Sequence, residues 1–272
     1  MIKISMLLDN KKGLQHLKSS HGLSIYIEFN EIKLLMDTGP NKNFLTNAET
    51  LGINLDNLDG IILSHGHSDH VGGLNYLDLS AIPIHASKHI FNPKFIKILG
   101  FNKYVGMPKT IDKTSFNFIS EITELFPDVF IMPLNKTKNT TNNLYKSQGQ
   151  QIVLDDFSDE LALVIINNQE LTLFTGCSHH GIVEIIKTTK EYFPTQKIKH
   201  VIGGFHMIGI PYLNNLGLSK EKIEMIGNEL NTLDIDHYYT CHCTGMKAYN
   251  ILKPILNNKL NYLSTGNTLM ID

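Results

Sequence analysis

The most constraining feature of this 272-residue chain is a run rich in histidine and aspartate that directly follows a short apolar stretch. The run reads Ser64-His65-Gly66-His67-Ser68-Asp69-His70-Val71-Gly72-Gly73, and the stretch before it has the length and composition of a buried strand. Imidazole and carboxylate groups at this density suit divalent first-row metals, zinc above all. Where such a loop turns into a helix, His65 and His67 would serve one metal site, and Asp69 and His70 a second.

Three later strand-like runs also end in segments that contain histidine. They are followed by Gly176-Cys177-Ser178-His179-His180, Gly203-Gly204-Phe205-His206 and Cys241-His242-Cys243-Thr244-Gly245. A zinc site needs more ligands than two from one loop. Because the carboxyl ends of strands in an α/β fold gather along one edge, we expect these four segments to meet there. A single histidine at a strand end would be weak evidence, but four together are hard to explain by packing.

The order of predicted elements favours an α/β fold. Each half of the chain begins with a hairpin, at residues 23–36 and 161–175, and continues in strand–helix units. This order predicts a layered sandwich of two sheets between helices. We also predict a helix over Val71–Leu79 and a final strand pair around Tyr262 and Leu269.

The middle segment, residues 87–150, is less regular and is predicted to be an insertion that packs over the core. Within it, residues 116–119 and 129–131 have the apolar composition of strands, whereas the polar stretch Asn135–Gln151 predicts a loop.

Composition narrows the possible partners. The net charge is −2 and all 24 basic residues are lysine, so neither nucleic acid nor an anionic membrane surface is an expected partner. Without arginine, an anion must be bound by lysine, histidine, backbone N–H groups or a metal. No signal peptide is recognisable and no apolar run reaches the length of a membrane span, so we expect a cytoplasmic protein. The chain has three cysteines, Cys177, Cys241 and Cys243, and this number does not indicate a disulfide framework.

Taken together, the motifs resemble the metallo-β-lactamase superfamily, whose hallmark is the His-x-His-x-Asp-His run at 65–70. The segment around Asp37 resembles the first motif of this family. A closer resemblance is to a subgroup named after an archaeal dihydropterin ribofuranosyl-aminobenzene phosphate synthase. The resemblance implies a four-layer αβ/βα sandwich of two mixed sheets flanked by helices. It also implies one domain over residues 1–272, in which 87–150 forms a lid or wall over the cleft.

The resemblance also assigns roles to individual residues. The stretch Val153–Leu161 lacks the ligand histidine that the family usually carries there, and we expect His179 to replace it. Asp37 is expected to orient a ligand, Cys177 to be either a ligand or a buried filler, and His21 to reach the pocket. Asp69 and His206 are the candidate catalytic residues, as carriers of a proton, and the alternative role of His206 is that of a metal ligand. The expected metal ligands are His65, His67, Asp69, His70, His179 and His242.

Three functions fit these residues. The first is a dinuclear hydrolase in which two divalent ions, zinc or else iron or manganese, share a hydroxide that attacks an anionic small-molecule ester, lactone or phosphoester. The second is a transferase of the dihydropterin ribofuranosyl-aminobenzene phosphate synthase type, which releases pyrophosphate. The third is a metal-containing ligand-binding or sensing protein. The chain has no Gly-x-Ser-x-Gly nucleophile motif. Lys88, Lys94 and Lys247 are either contacts for an anionic substrate or ordinary solvated lysines.

Overall fold

The computed structural model describes residues 1–98, 100–134, 143–209 and 215–272. Its helices are Asn43–Thr50 (α1), Ser68–Val71 (α2), Ile182–Tyr192 (α3), Lys220–Thr232 (α4) and Gly245–Leu256 (α5). Its strands are Ile2–Leu8 (β1), Ser24–Phe29 (β2), Ile32–Met36 (β3), Gly60–Ile62 (β4), Ile84–Ser87 (β5), Lys94–Ile98 (β6), Phe101–Tyr104 (β7), Phe116–Ile119 (β8), Thr123–Phe126 (β9), Val129–Pro133 (β10), Leu144–Gln148 (β11), Gln151–Leu154 (β12), Leu161–Asn167 (β13), Glu170–Thr175 (β14), Lys197–Gly203 (β15), His237–Thr240 (β16), Leu260–Tyr262 (β17) and Thr268–Ile271 (β18).

Two seven-stranded mixed sheets form the framework. The first has the order β18-β1-β2-β3-β4-β5-β8 and the second the order β17-β16-β15-β14-β13-β10-β9. Each sheet has an antiparallel half that contains one of the predicted hairpins, β2–β3 or β13–β14, and a parallel half. The parallel halves, β3-β4-β5-β8 and β14-β15-β16-β17, are where strand ends of the same polarity gather.

Three apolar clusters stack the layers in the predicted order. Ile4 and Leu163 belong to the cluster that contains side chains of both sheets, so the two sheets face each other. The second sheet packs its other face on α3, α4 and α5, and the first sheet packs on α1. Strand β13 is apolar throughout because both of its faces are buried: Leu163 faces the other sheet, and Val164 faces the helices. The four-layer αβ/βα sandwich is therefore confirmed.

The middle segment departs from the prediction. Strand β8 extends the first sheet, and β9 and β10 extend the second. A further four-stranded sheet, with the order β12-β11-β6-β7, was not predicted. The predicted loop Asn135–Gln151 is wrong over β11, and its residues 135–142 lie outside the described ranges. Polar side chains concealed this strand because the small sheet is largely exposed on one face, where alternation replaces a continuous apolar run.

Two local predictions are also wrong. In place of a helix over Val71–Leu79, the single turn α2 passes into a 3₁₀ helix over Gly72–Tyr76. The close approach of the backbone explains this, because a Cβ at Gly73 would lie 2.1 Å from the carbonyl oxygen of Thr38. The two final strands exist, but β17 lies in the second sheet and β18 in the first. Among the described helices, none has the length and apolarity needed to cross a membrane.

A buried histidine in the second sheet predicts a loss of stability at acid pH. His200 is 5% exposed, and burial, reinforced by His237 and Lys199, lowers its pKa to about 4. Between pH 6.5 and 4 the unfolded chain therefore binds a proton that the folded chain does not. This histidine then costs up to about 1.4 kcal/mol of unfolding free energy per pH unit. The free energy of unfolding of His200→Gln, measured by urea denaturation, should decrease less steeply with falling pH than that of the wild type. The exposed His16→Gln control should not change the slope, and equal slopes for all three proteins would contradict the prediction.

Candidate metal centre

The site forms where the two sheets present the ends of their parallel strands. The His65–His70 run follows β4 of the first sheet, and three segments follow β14, β15 and β16 of the second. The parallel register of β14, β15 and β16 brings Cys177, His206 and His242 to the same edge. The four strand ends therefore meet, as the sequence predicted.

One group of imidazoles consists of His65, His67 and His179. The Nε2 atom of His65 lies 2.9 Å from Nδ1 of His67 and 3.2 Å from Nε2 of His179. All three side chains are buried, and one ligand atom from each lies within 4.8 Å of the others. This arrangement places His179 with the two histidines of the run, where the family pattern would have another histidine.

A second group consists of His70, His242, Asp69 and His21. The Nε2 atoms of His70 and His242 face each other at 3.2 Å. The Asp69 carboxylate oxygen Oδ2 lies 3.4 Å from Nε2 of His242, 3.9 Å from Nε2 of His70 and 3.2 Å from Nε2 of His21. His21, from the segment before β2, thus reaches this group together with the predicted residues.

Cys177 lies between the two groups. Its Sγ atom is 3.2 Å from Nε2 of His70, and it clusters with both His65 and His70. It also clusters with His179 and His206, whose rings lie 4.2 Å apart. Cys177 therefore lies within reach of ligand atoms from both groups.

The other two cysteines differ from each other. Cys241 packs in the core between the sheets, as expected of a buried free cysteine. The Cys243 sulfur, by contrast, accepts the backbone N–H of His206 at 3.3 Å and clusters with Cys177 and His242. Cys243 is therefore part of the site's surroundings.

Asp37 fixes the orientation of imidazoles from both groups. It directly follows β3, and its φ of 59° lies in the left-handed region. Its Oδ2 accepts from Nδ1 of His70 at 2.6 Å and from the Ser64 hydroxyl at 2.7 Å, and the Ser64 oxygen lies 2.9 Å from Nδ1 of His65. Since a carboxylate only accepts, Nδ1 of both His70 and His65 carries a hydrogen, which leaves Nε2 of each directed into the site.

Asn10 orients the imidazole of His242, as Asp37 orients that of His70. Its Oδ1 atom lies 2.8 Å from Nδ1 of His242 and also accepts the N–H of Gly22, which identifies this atom as an oxygen acting as an acceptor. Nε2 of His242 is therefore the lone-pair nitrogen. The buried Asp9 carboxylate accepts the His242 backbone N–H at 2.6 Å, and burial raises the pKa of Asp9 to about 7. No local pattern in the sequence indicates Asn10 or Asp9, because both lie more than 200 residues from His242 along the chain.

These contacts satisfy the chemistry of a metal centre. The Nε2 atoms of His65 and His179, and those of His70 and His242, face each other at 3.2 Å, a distance that either a shared proton or a metal cation between them accounts for. Each imidazole that donates a hydrogen bond from Nδ1 to a named acceptor is held in one tautomer, as in protein metal sites. The donor set of imidazole, carboxylate and thiol is the one that zinc prefers. The residues therefore fit divalent metal ions.

Electrostatics keep most of these imidazoles neutral. Burial, together with the neighbouring histidines, holds the pKa of His65 and His179 well below the usual range, and burial and Lys94 lower that of His67 to about 3. His70 is the exception: burial lowers its pKa, but the charges of Asp37 and Asp69 outweigh burial and raise it to about 9.

Sequence reasoning missed the role of the turn at residues 155–160, which lies in the stretch that lacks the family's histidine. Glu160 accepts the backbone N–H groups of His179 and His180, and its Oε2 lies 2.6 Å from Nδ1 of His180. His180 is thus buried beside the site and does not lie on the surface. Lys94 is not a solvated lysine or a substrate contact, because its side chain is 1% exposed and paired with carboxylates. The density of acidic residues in this turn was the available signal.

A cavity of about 340 Å³ opens beside the second group. It lies next to His21 and His242 and has both apolar walls and one lysine. Lys11 is exposed, and its ammonium group lies 5.4 Å from the centre of the Tyr262 ring. The cavity offers a small molecule access to the second group of ligands. Its other lining residues include Asn10, Ile208 and Met246.

Comparison with known proteins identifies relatives along the whole chain. Residues 19–110 match the family model of the metallo-beta-lactamase superfamily. A Methanocaldococcus jannaschii protein named 7,8-dihydropterin-6-methyl-4-(beta-D-ribofuranosyl)-aminobenzene-5'-phosphate synthase is 32% identical over 97% of this chain and 95% of its own length. Tm1679, a metal-dependent hydrolase of the beta-lactamase superfamily, superposes with a TM-score of 0.83 at 30% identity and covers 100% of this chain and 99% of its own. Zn²⁺-bound PqqB from Methylobacterium extorquens has a TM-score of 0.60 at 10% identity over 99% of this chain and 100% of its own, and shares the fold.

Proposed function

Because the chain belongs to the metallo-β-lactamase superfamily, we propose that it is a dinuclear metal-dependent hydrolase of anionic small-molecule esters, lactones or phosphoesters. The observation that carries the proposal is the convergence of two groups of ligand atoms around Cys177. The first metal would be held by His65, His67 and His179. The second would be held by Asp69, His70 and His242, with His21 as a possible further ligand. The similarity to a metal-dependent hydrolase over the full chain supports this reading.

Divalent cations at these positions would supply Lewis-acid chemistry, since they lower the pKa of a water molecule and polarise a carbonyl or phosphoryl oxygen. We propose zinc, because a thiol at the shared position favours it over manganese. Side chains of the protein would accept and donate protons at defined positions. The Asp69 carboxylate, partly open to solvent, stands where it can accept and return a proton, and the imidazole of half-buried His206 can do the same beside His179.

The adjoining cavity indicates the kind of substrate. Lys11 supplies its positive charge, and the Ile208 and Met246 side chains supply apolar contact. A small molecule with an anionic group and an apolar or flat portion fits this lining, and a lysine can bind the anion in a chain without arginine. We propose one domain over residues 1–272, with parts of 87–150 forming a wall of the cleft.

A second function is favoured by the archaeal relative, which covers nearly the whole chain and is named as a synthase. In that case the same site would join a dihydropterin pyrophosphate to a ribosyl-aminobenzene phosphate and release pyrophosphate. The negative charges of both substrates would again be matched by the metal centre and Lys11.

One experiment separates the two functions. The zinc-loaded protein is incubated with a phosphodiester, a lactone and the pair of pterin and ribosyl-aminobenzene substrates, each with and without EDTA. For a hydrolase we expect EDTA-sensitive cleavage of the phosphodiester or lactone, without need of a second substrate. Pyrophosphate release that requires both synthase substrates would favour the transferase instead. Metal binding without turnover of any of the three would contradict both and favour a sensing protein.

A further inference from the structure

We propose that Lys94, Asp155, Phe157 and Asp159 form a clamp that positions the three imidazoles of the first metal group. This inference rests on the proposed metal centre and adds residues that the family pattern does not supply. The Lys94 ammonium group lies 2.6 Å from Oδ2 of Asp155 and 2.8 Å from Oδ1 of Asp159. All three side chains are at most 1% exposed. A lysine buried to this degree is rare unless it is paired.

The clamp reaches the His65–His70 run through Gly66. The second oxygen of Asp159, Oδ2, accepts the Gly66 backbone N–H at 2.7 Å, and this amide stands between His65 and His67. The loop also packs closely against the backbone of Ile90, because a Cβ at Gly66 would lie 2.4 Å from the Ile90 carbonyl oxygen. Asp159 therefore sets the backbone from which two of the three imidazoles extend.

The clamp reaches the third imidazole through Phe157. The Phe157 ring stacks on the His179 ring with centroids 3.8 Å apart and planes 10° from parallel, and it meets the His67 ring edge-on at 5.7 Å. Phe157 has a φ of 50°, a conformation that is costly for a non-glycine residue. Its N–H donates to Oδ1 of Asp155 at 2.9 Å, so the ion pair with Lys94 also holds this strained turn.

The small sheet of β6, β7, β11 and β12 holds Lys94 in position. Lys94 is the first residue of β6, which pairs with β11, so the sheet carries the cation to which the turn is tied. The clamp residues are therefore positioning residues: Phe157 packs directly on two of the proposed ligands, and the other three act through Phe157 or through the Gly66 backbone. Because outer hydrogen-bond partners of metal ligands typically contribute 10–100-fold in metal affinity, the clamp should be measurable in binding alone.

The decisive variant is Asp159→Asn. An asparagine has one oxygen, so it cannot accept from both Gly66 and Lys94, whereas the remaining Lys94–Asp155 pair keeps the buried charges balanced. Cobalt(II) titration with a competing chelator, followed by visible absorption, should show a loss of about 10–100-fold in affinity at the first group with an altered absorption band. The second group should keep its affinity. A His65→Ala protein identifies which band belongs to the first group.

The matched control is Asp156→Asn, the same change in the same turn. Asp156 is 61% exposed and pairs with Lys146, away from the ligand imidazoles, so its affinity and spectrum should equal those of the wild type. A folded Asp159→Asn protein with wild-type affinity and spectrum at the first group would overturn the clamp. If Asp159→Asn does not fold, Phe157→Leu, which keeps apolar volume but removes the stacked ring, decides in the same way. A wild-type protein that binds no cobalt would instead remove the proposed function itself.

Discussion

Replacing His65 with alanine is expected to remove the metal of the first group and to reduce metal-dependent turnover to background. Nε2 of His65 lies 2.9 Å from Nδ1 of His67 and 3.2 Å from Nε2 of His179, so its removal takes away the ligand atom that joins the other two. The loss in affinity should exceed the 10–100-fold that removal of an outer partner costs, because a direct ligand is lost. Metal content after dialysis, measured by elemental analysis, should fall from two ions per chain to one.

The control for this prediction is His16→Ala, which removes an imidazole that is exposed and belongs to none of the candidate ligand groups. It should bind two ions and keep full turnover. Urea denaturation establishes that His65→Ala is folded before its metal content is compared. A folded His65→Ala protein with two tightly bound ions and full activity would refute the assignment of the first group.

The isosteric change Asp37→Asn is expected to weaken both groups at once. Asp37 accepts from Ser64 and from Nδ1 of His70, and an asparagine must present its NH₂ to one of these donors. If the NH₂ faces His70, the imidazole adopts the other tautomer and its Nε2 acquires a hydrogen, so it cannot bind a cation. Asparagine tolerates the left-handed backbone of this position, so the fold should survive. We expect a 10–100-fold loss in affinity at the second group and a smaller loss at the first, through the Ser64–His65 contact.

Chelator competition with zinc, monitored at equilibrium, measures this effect for both groups. Asp56→Asn, on an exposed loop, is the comparison protein and should show wild-type affinities. If Asp37→Asn bound both ions as tightly as the wild type, the hydrogen bonds of Asp37 would have no role in holding the tautomers. The same variant should also lose turnover, because activity of the proposed hydrolase depends on both ions.

Local pattern was sufficient for the parts of the site that one segment supplies. The strand before His65, the turn and the spacing of His65, His67 and His70 are all encoded within a few residues, because backbone geometry alone directs these side chains. The sequence also predicted that His179 would lie with His65 and His67, as the structure shows. The helix over Val71–Leu79 failed because the close approach of Gly73 to Thr38, a contact with another segment, outweighs local preference.

Lys94 shows the limit most clearly. In the sequence Lys94 is one of 24 lysines, and its neighbours along the chain do not indicate that its side chain is buried. In the structure, β6 pairs with β11 and places its ammonium group between Asp155 and Asp159, more than 60 residues away. Pairing of polar strands carries little periodic signal, so the small sheet and its buried ion pairs could not be predicted.

The sequence by itself determined the family, through the motifs that resemble it, and the arrangement of two sheets between helices, through the order of its hairpins and strand–helix units. It also determined which histidines follow strands, because apolar runs and spacing within single segments are sufficient for that. Only the tertiary structure decided that Asn10 and Asp37 orient His242 and His70, that Cys177 lies between the two groups, and that a buried lysine supports the first. Those outcomes depend on contacts between segments that are far apart in the chain, and such contacts are fixed only when the two sheets pack and the polar groups that become buried must find partners.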